Sequence, residues 1–464
     1  MDDAGVTPYN YSIEYVPPQS LRPYAGNART HSRRQLRALE ASIRRFGYTQ
    51  PALVSNDGEI IAGHGRVEAA KNIGLDEIPI VRIEHLNETD RRAYVIADNK
   101  IAEMAGWDKE ILAIELQNLI EVGFDLEIVG FDAPEVDLLF EGLSESKCDS
   151  SAEDISPQPT YEGPSVTRPG DIWLLGPKSD PRHKLICADA RETRTFLSLL
   201  GPERAAVLLT DPPYNVRIRG VSGKGRIQHR EFAMASGEMS EDQFTEFLQQ
   251  FLKASLPALS AGALAYVFMD WRHAFELMNA ARQLKLNLVN LCVWNKSNGG
   301  MGSLYRSKHE LVFIFGRGKQ SHLNNVELGK HGRNRTNVWD YRGGSAFHSG
   351  RGSELEMHPT VKPVSMLADA IRDVTKAGEI VLDPFSGSGS TIIAAEKTSR
   401  LARAIEIDGQ YCDVAVRRWE KWTGKSAYLA ETRETFEAVA ERRQETAAFS
   451  RRCKGPLRMK EATR

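Results

Sequence analysis

The chain has 464 residues, 41% hydrophobic and 26% charged. That is too long for one ordinary domain and carries the balance of a folded globular protein. No apolar run approaches the roughly 20 residues that span a bilayer. The start MDDAGVTPYNYS is acidic and polar, unlike a secretory signal, so no membrane partner is expected and the cytoplasm is the expected location. Five scattered cysteines (Cys148, Cys187, Cys292, Cys412, Cys453) never form a CxxC pair, which argues against a disulfide scaffold or a structural zinc centre. No metal site is expected.

Net charge is −2, from 60 basic against 62 acidic residues, but the charge is segregated. Residues 1–140 hold 14 Lys/Arg against 23 Asp/Glu, and residues 296–342 hold 9 against 3. Arg217, Arg219, Lys224, Arg226 and Arg230 form a further basic cluster opposed by Glu231. Local positive fields of this kind suit a phosphate polymer, whatever the total charge.

Residues 1–141 read as a small α/β unit with a helical extension. Leu36, Leu39, Ile43 and Phe46 fall at helical spacing, and Gly47 caps the helix Arg33–Phe46. Strands over Pro51–Ser55 and Glu59–Ala62 flank the turn Asn56-Asp57-Gly58. Gly63-His64-Gly65-Arg66 opens a short helix closed by Gly74, and a helical stretch over about 87–120 follows. Residues 142–168, rich in Ser, Pro and acids, read as a linker.

Residues 169–430 alternate short apolar strands with helices. The strands expected are Lys184–Cys187, Ala205–Leu209, Leu264–Phe268, Leu288–Trp294, Leu311–Phe315, Glu379–Leu382 and Ala402–Ile407. The helices expected are Ser240–Leu259, with Ser240 and Gln243 as a capping box, then Lys362–Thr375, Thr391–Ser399 and Gln410–Trp422. This alternation implies a mostly parallel, Rossmann-like sheet with helices on both faces. From Glu441 the apolar pattern fades and arginines and lysines accumulate, so residues 431–464 read as a basic tail.

Two segments carry chemistry. In Val207-Leu-Leu-Thr210-Asp211-Pro212-Pro213-Tyr214 an apolar strand delivers an acid, two prolines and an aromatic ring at its C-terminal end, where open α/β sheets bind ligands. The prolines stiffen the turn, Asp211 can accept from an amine, and Tyr214 can stack on a base. The second segment, Ile380-Val-Leu-Asp383-Pro-Phe385-Ser-Gly387-Ser-Gly389-Ser-Thr391, is a strand, a glycine-rich turn and a helix start. It lacks the lysine of a nucleotide P-loop and does not match GxGxxG. Glu406 ends a strand about 20 residues on, where an acid can take ribose hydroxyls. Together the segments describe an adenosine-containing cofactor site.

Asp211-Pro-Pro-Tyr214, then His358-Pro-Thr-Val-Lys362-Pro363, then Asp383-Pro-Phe-Ser-Gly-Ser-Gly389 resemble, in this order, the β class of DNA amino-methyltransferases. The resemblance implies S-adenosylmethionine as cofactor, with Asp383 among the residues that bind it and Phe385, Gly387 and Gly389 at its methionine end. It places Glu406 on the ribose, Asp189 near the adenine and Lys362 near the methionine carboxylate. It implies a catalytic set of Asp211, Pro212, Pro213 and Tyr214 acting on a base flipped out of double-stranded DNA. Asp at the first motif position favours the N6 amine of adenine; cytosine N4 is the alternative. DNA contacts are expected from Arg217, Arg219, Arg333 and Arg335, with sequence reading in residues 316–357.

The N-terminal unit, through Gly63-His64-Gly65-Arg66, is similar to the ParB/sulfiredoxin fold but carries neither GCHR nor GERR. Nucleotide binding there, and a homodimer, stay open. Arg22, Arg29, Arg33, Arg34, Arg37, Arg44 and Arg45 suit phosphate contact. A reading from another class is a ParB-like DNA-binding module whose methyltransferase half is vestigial.

Overall fold

The computed structural model describes residues 9–144, 165–216, 235, 237–296, 304–318, 320–326, 335–341 and 362–453. Contacts divide the chain into two compact units, Met1–Leu139 and Phe140–Arg464.

The first unit runs β1 (Ile13–Val16), β2 (Arg22–Pro23), α1 (Arg33–Phe46), β3 (Ala52–Val54), β4 (Glu59–Ala62), α2 (His64–Ile73) and β5 (Ile78–Arg82), then α3 (Glu88–Met104) and α4 (Lys109–Glu121). The five strands form one sheet in the order β1-β5-β3-β4-β2. Ala52, Val54, Ile60, Val67, Ile78 and Ile80 build its core. Helix α1 has the expected bounds: Ser32 accepts from the Gln35 amide, and Gly47 turns the chain at φ 83°. The stretch expected as one helix over 87–120 is two, because Asp108 caps a fresh start by accepting from the Glu110 and Ile111 amides. Three arginines of the phosphate-contact group are held by the protein. Arg22 pairs with Asp57 at 2.7 Å and Arg34 with Asp132 at 2.6 Å, and Arg29 donates to Asn99.

Helix α5 (Ala133–Ser144) runs through the boundary between the units and takes up the start of the expected linker. The linker also ends earlier than residue 168. Buried Val166 and Thr167 are tied into the second unit, their amides donating to Asp413 at 2.6 and 2.9 Å.

The second unit contains β6 (Ile172–Leu175), β7 (His183–Cys187), α6 (Thr193–Leu200), β8 (Ala205–Thr210), α7 (Glu241–Ser255), β9 (Leu259–Met269), α8 (Ala274–Gln283), β10 (Leu286–Asn295), β11 (His309–Arg317) and β12 (Val338–Asp340). It continues with α9 (Val364–Val374), β13 (Ile380–Asp383), α10 (Ser390–Lys397), β14 (Leu401–Glu406), α11 (Gly409–Thr423), β15 (Ala427–Leu429) and α12 (Phe436–Cys453). The ten-stranded sheet has the order β12-β10-β11-β9-β8-β13-β14-β7-β6-β15. Its middle, β9-β8-β13-β14-β7, is parallel. β11 runs antiparallel to both β9 and β10, and β6 to both β7 and β15, so antiparallel pairs flank the parallel centre that the strand–helix alternation predicts.

Alternate residues of the central strands face opposite cores. Leu208, Val267 and Leu382 pack under α6, α7 and α8, while Val207, Phe268 and Val381 pack under α9. Burial on both faces is what their unbroken apolar runs encode. In α7 the expected face of Phe244, Phe247, Leu248, Phe251 and Leu252 is buried and the Ser240–Gln243 capping box is formed. The chain beyond residue 431 is not simply a tail. Helix α12 continues through Cys453, Phe436 and Val439 are buried, and Arg443 pairs with Asp171.

Candidate active site

Strand order brings the two motifs together. β13 lies beside β8 with Val381 opposite Val207 and Leu382 opposite Leu208, so both motif turns leave the same edge of the sheet. The chain progresses from β8 to β9 on one side and from β13 to β14 on the other. Such a switch point opens a crevice at the strand ends. The Thr210 hydroxyl donates to Asp383 at 2.9 Å and locks the two ends. Asp383 also accepts from the Phe385 amide at 3.1 Å, and burial raises its pKa to about 6.

A cleft of about 1120 Å³, counting its open mouth, follows this edge. One half is lined by Phe385, Ser386, Gly387, Glu406 and Tyr411, the other by Asp211, Pro212, Pro213, Tyr214 and Lys362. Gly389 caps α10 at φ 82°, and a Cβ there would meet the Ala415 Cβ at 2.9 Å, so both backbone and packing require glycine. Gly387, at φ 50°, has open space where its Cβ would stand. Glu406 accepts from the Gly387 and Asp408 amides, both at 2.9 Å, and burial raises its pKa to about 7. The buried Ser386 hydroxyl has no hydrogen-bond partner among the described residues. Asp189 is not among the lining residues; its carboxylate is held by Arg191 at 2.6 Å.

Lys362, expected near the methionine carboxylate, lines the cleft beside Asp211. Its buried ammonium donates to Asp211 at 2.5 Å and to Glu310 at 3.0 Å, surrounded by the rings of Tyr214, Phe268 and Trp294. The Tyr214 hydroxyl donates to Asp211 and lies 3.1 Å from Glu310. Lys296 closes the network on the other Glu310 oxygen. Burial and the two carboxylates raise the Tyr214 pKa well above its usual value, which keeps the hydroxyl protonated. Burial raises Asp211, whereas Lys362 and Lys296 outweigh burial at Glu310 and hold it down at about 2.

Glu310 and Lys296 escape sequence reasoning because neither lies in a motif. The antiparallel flank explains their arrival: β11 starts, and β10 ends, at the edge where β8 ends. A lone acid heading the apolar run of β11 was the available signal. Asn215, also missed, adopts φ 54° and pins the chain after the motif, accepting from the Gly237 and Met239 amides.

The expected DNA contacts fare differently. Arg217, Arg219 and Arg333 lie outside the described residues, as do His358–Val361 and most of 316–357. Arg335 is not free for DNA: it pairs with Asp373 at 2.8 Å and Asp369 at 3.1 Å and donates to Tyr341. Trp339 is buried against Tyr266. Gly316 and Arg317 end β11 at the edge away from the cleft, because that strand runs antiparallel to β9.

The geometry defines a two-part cleft, one half suited to a nucleoside cofactor and the other to an amine acceptor. A family model described as a DNA methylase matches residues 205–417, one described as a ParB N-terminal domain matches residues 3–100, and a ParB-methyltransferase HTH domain matches residues 110–169. The chain is 30% identical over 208 residues to the putative methylase YubD of Escherichia coli K12, which covers 44% of this chain and 77% of YubD. It is 48% identical over 80 residues to the ParB-like nuclease domain-containing protein YnaK of the same strain, covering 17% of this chain and 92% of YnaK. The crystal structure of an M1.HpyAVI–SAM complex matches with 20% identity and a TM-score of 0.36, covering 50% of this chain and 97% of that one. The chain belongs to the DNA methylase family of N6/N4 type, joined to a ParB-type N-terminal domain.

Among the described residues no helix is long and apolar enough to cross a membrane, and no cluster of His, Cys, Asp or Glu could hold a metal ion.

Proposed function

We propose that the protein transfers a methyl group from S-adenosylmethionine to the N6 amine of an adenine flipped out of double-stranded DNA, in the cytoplasm. The observation that carries this reading is the cleft itself, in which Asp211 on its rigid Pro-Pro turn faces the same space as the glycine turn and Glu406. The residues fit the cofactor. The open side of Gly387 admits close approach to the backbone, the unpartnered Ser386 hydroxyl offers a hydrogen bond, and each Glu406 oxygen keeps a lone pair for a ribose hydroxyl. When bound, S-adenosylmethionine supplies an electrophilic methyl group on a sulfonium.

Asp211 accepts a hydrogen bond from the target amine and orients its lone pair. Transfer then needs alignment more than acid–base strength. The amine nitrogen gains the methyl group and sheds one proton, for which Asp211, its basicity raised by burial, is the acceptor. Tyr214 orients the acceptor oxygen, and its ring lines the base side of the cleft. Exposed Trp271, with Arg272 stacked 4.9 Å from its ring, follows β9 at the same edge and suits contact with the strand around the flipped base. Every group named lies in one chain, so the reading needs neither a second copy nor a nucleotide at the N-terminal unit.

Asp at the first motif position supports adenine over cytosine. Incubation with methyl-labelled S-adenosylmethionine and mixed-sequence duplex, followed by digestion to nucleosides, tests it. Label in N6-methyl-2′-deoxyadenosine is expected; label in N4-methyl-2′-deoxycytidine would replace the reading with the cytosine alternative, and no label would refute it.

A further inference from the structure

In the buried network beside the cleft, Asp211 has both oxygens engaged, one by Tyr214 and one by Lys362. Each oxygen keeps a second lone pair, so an incoming amine shares the carboxylate with Lys362 and weakens its hold. Breaking the Lys362 contact alone would strand a buried ammonium, which is costly unless a second partner holds it. Glu310 is that second partner. It already accepts from Lys362 at 3.0 Å, lies 3.1 Å from the Tyr214 hydroxyl, and is anchored from its far side by Lys296. The three rings around Lys362 favour a cation that stays in place while its hydrogen bonds shift.

We propose that Glu310 is a positioning residue for methyl transfer: it takes over the Lys362 ammonium when the target amine engages Asp211. The inference rests on the amine-directed role of Asp211. No covalent step is added; one hydrogen bond from Lys362 to Asp211 is exchanged for a stronger one to Glu310. The charged groups bearing on Asp211 are Lys362 ahead of α9, Glu310 on β11 and Asp383 on β13, with the Tyr214 hydroxyl on its own turn. Lys296 on the segment after β10 bears on Glu310.

The test compares wild-type full-length protein with Glu310→Gln and Glu310→Asp. Turnover of duplex DNA, its pH profile, binding of S-adenosylhomocysteine and melting temperature are measured. In Glu310→Gln, Lys362 has Asp211 as its remaining carboxylate, so kcat should fall at least about tenfold. Inhibitor affinity should stay within about threefold. The acid limb of the pH profile should move to lower pH, because a negative charge near Asp211 is gone and the lysine bond is tighter. Glu310→Asp keeps the charge but withdraws it by one methylene, and should lose activity with the acid limb unshifted. Wild-type kcat in either folded variant overturns the proposal, as does a reduced kcat in Glu310→Gln with an unmoved acid limb. If Glu310→Gln does not fold, Glu310→Asp decides; if neither folds, Glu310 is a structural counter-ion and the proposal falls. A wild-type protein that labels no DNA amine refutes the underlying reading instead.

Discussion

Replacing Tyr214 by Phe removes one oxygen and leaves the ring. That ring packs against the cores on both faces of the sheet, so the substitution opens no side-chain-sized cavity. What disappears is the hydroxyl that donates to Asp211 and neighbours Glu310 at 3.1 Å. A hydrogen bond to a charged group is worth about 1.5–3 kcal/mol. At 1.4 kcal/mol per decade this becomes a loss of about 10- to 150-fold in kcat/KM if the bond is used in aligning the acceptor. Methyl incorporation into duplex DNA from labelled S-adenosylmethionine gives the ratio. Calorimetric affinity for S-adenosylhomocysteine should stay near wild type, and melting should drop by several degrees for the same ~1.5–3 kcal/mol of lost stability. A kcat/KM within twofold of wild type would refute the positioning role and leave the ring as a stacking surface alone. Placing a mismatch opposite the target lowers the cost of flipping. It should therefore rescue a stacking defect and leave the Tyr214→Phe deficit in place.

Because burial raises the Glu406 pKa to about 7 and ribose hydroxyls need its ionised form as acceptor, affinity for S-adenosylhomocysteine should rise as pH increases toward 7 and level off above it; a flat profile from pH 5.5 to 8 would remove Glu406 from the ribose. Arg335→Ala should destabilise the protein by about 3 kcal/mol in urea titrations, because it strips the guanidinium from buried Asp373, with little change in the salt dependence of DNA binding; the opposite pattern would restore Arg335 as a phosphate contact. A fragment of residues 165–464 should fold and methylate DNA at low salt, whereas residues 169–464, without the Val166 and Thr167 amides on Asp413, should melt several degrees lower; equal melting would show that the strap contributes nothing.

Much of this protein was legible along the chain because the relevant physics is local. Helix α1 could be bounded from Ser32, its apolar spacing and Gly47, and the capping box of α7 from Ser240 and Gln243, since caps and amphipathic faces act within a turn or two. The Asp211–Tyr214 and Asp383–Gly389 turns could be marked because each follows a short apolar strand directly, at the end where open α/β sheets bind ligands, and because their order resembles that of the DNA amino-methyltransferases. Short β6 and β15, and helices α6 and α8, were missed because their formation depends on covering a sheet already there. The tertiary structure alone decided which charges meet. Antiparallel β11 returns Glu310 to the catalytic edge and carries Arg317 away from it, while packing turns Arg335 and Trp339 inward. Lys362, in a motif whose resemblance pointed to the cofactor, settles between two carboxylates because burial leaves its charge no water to turn to. Strand order, set by burial and twist across the whole sheet, is a global property, and no window of sequence contains it.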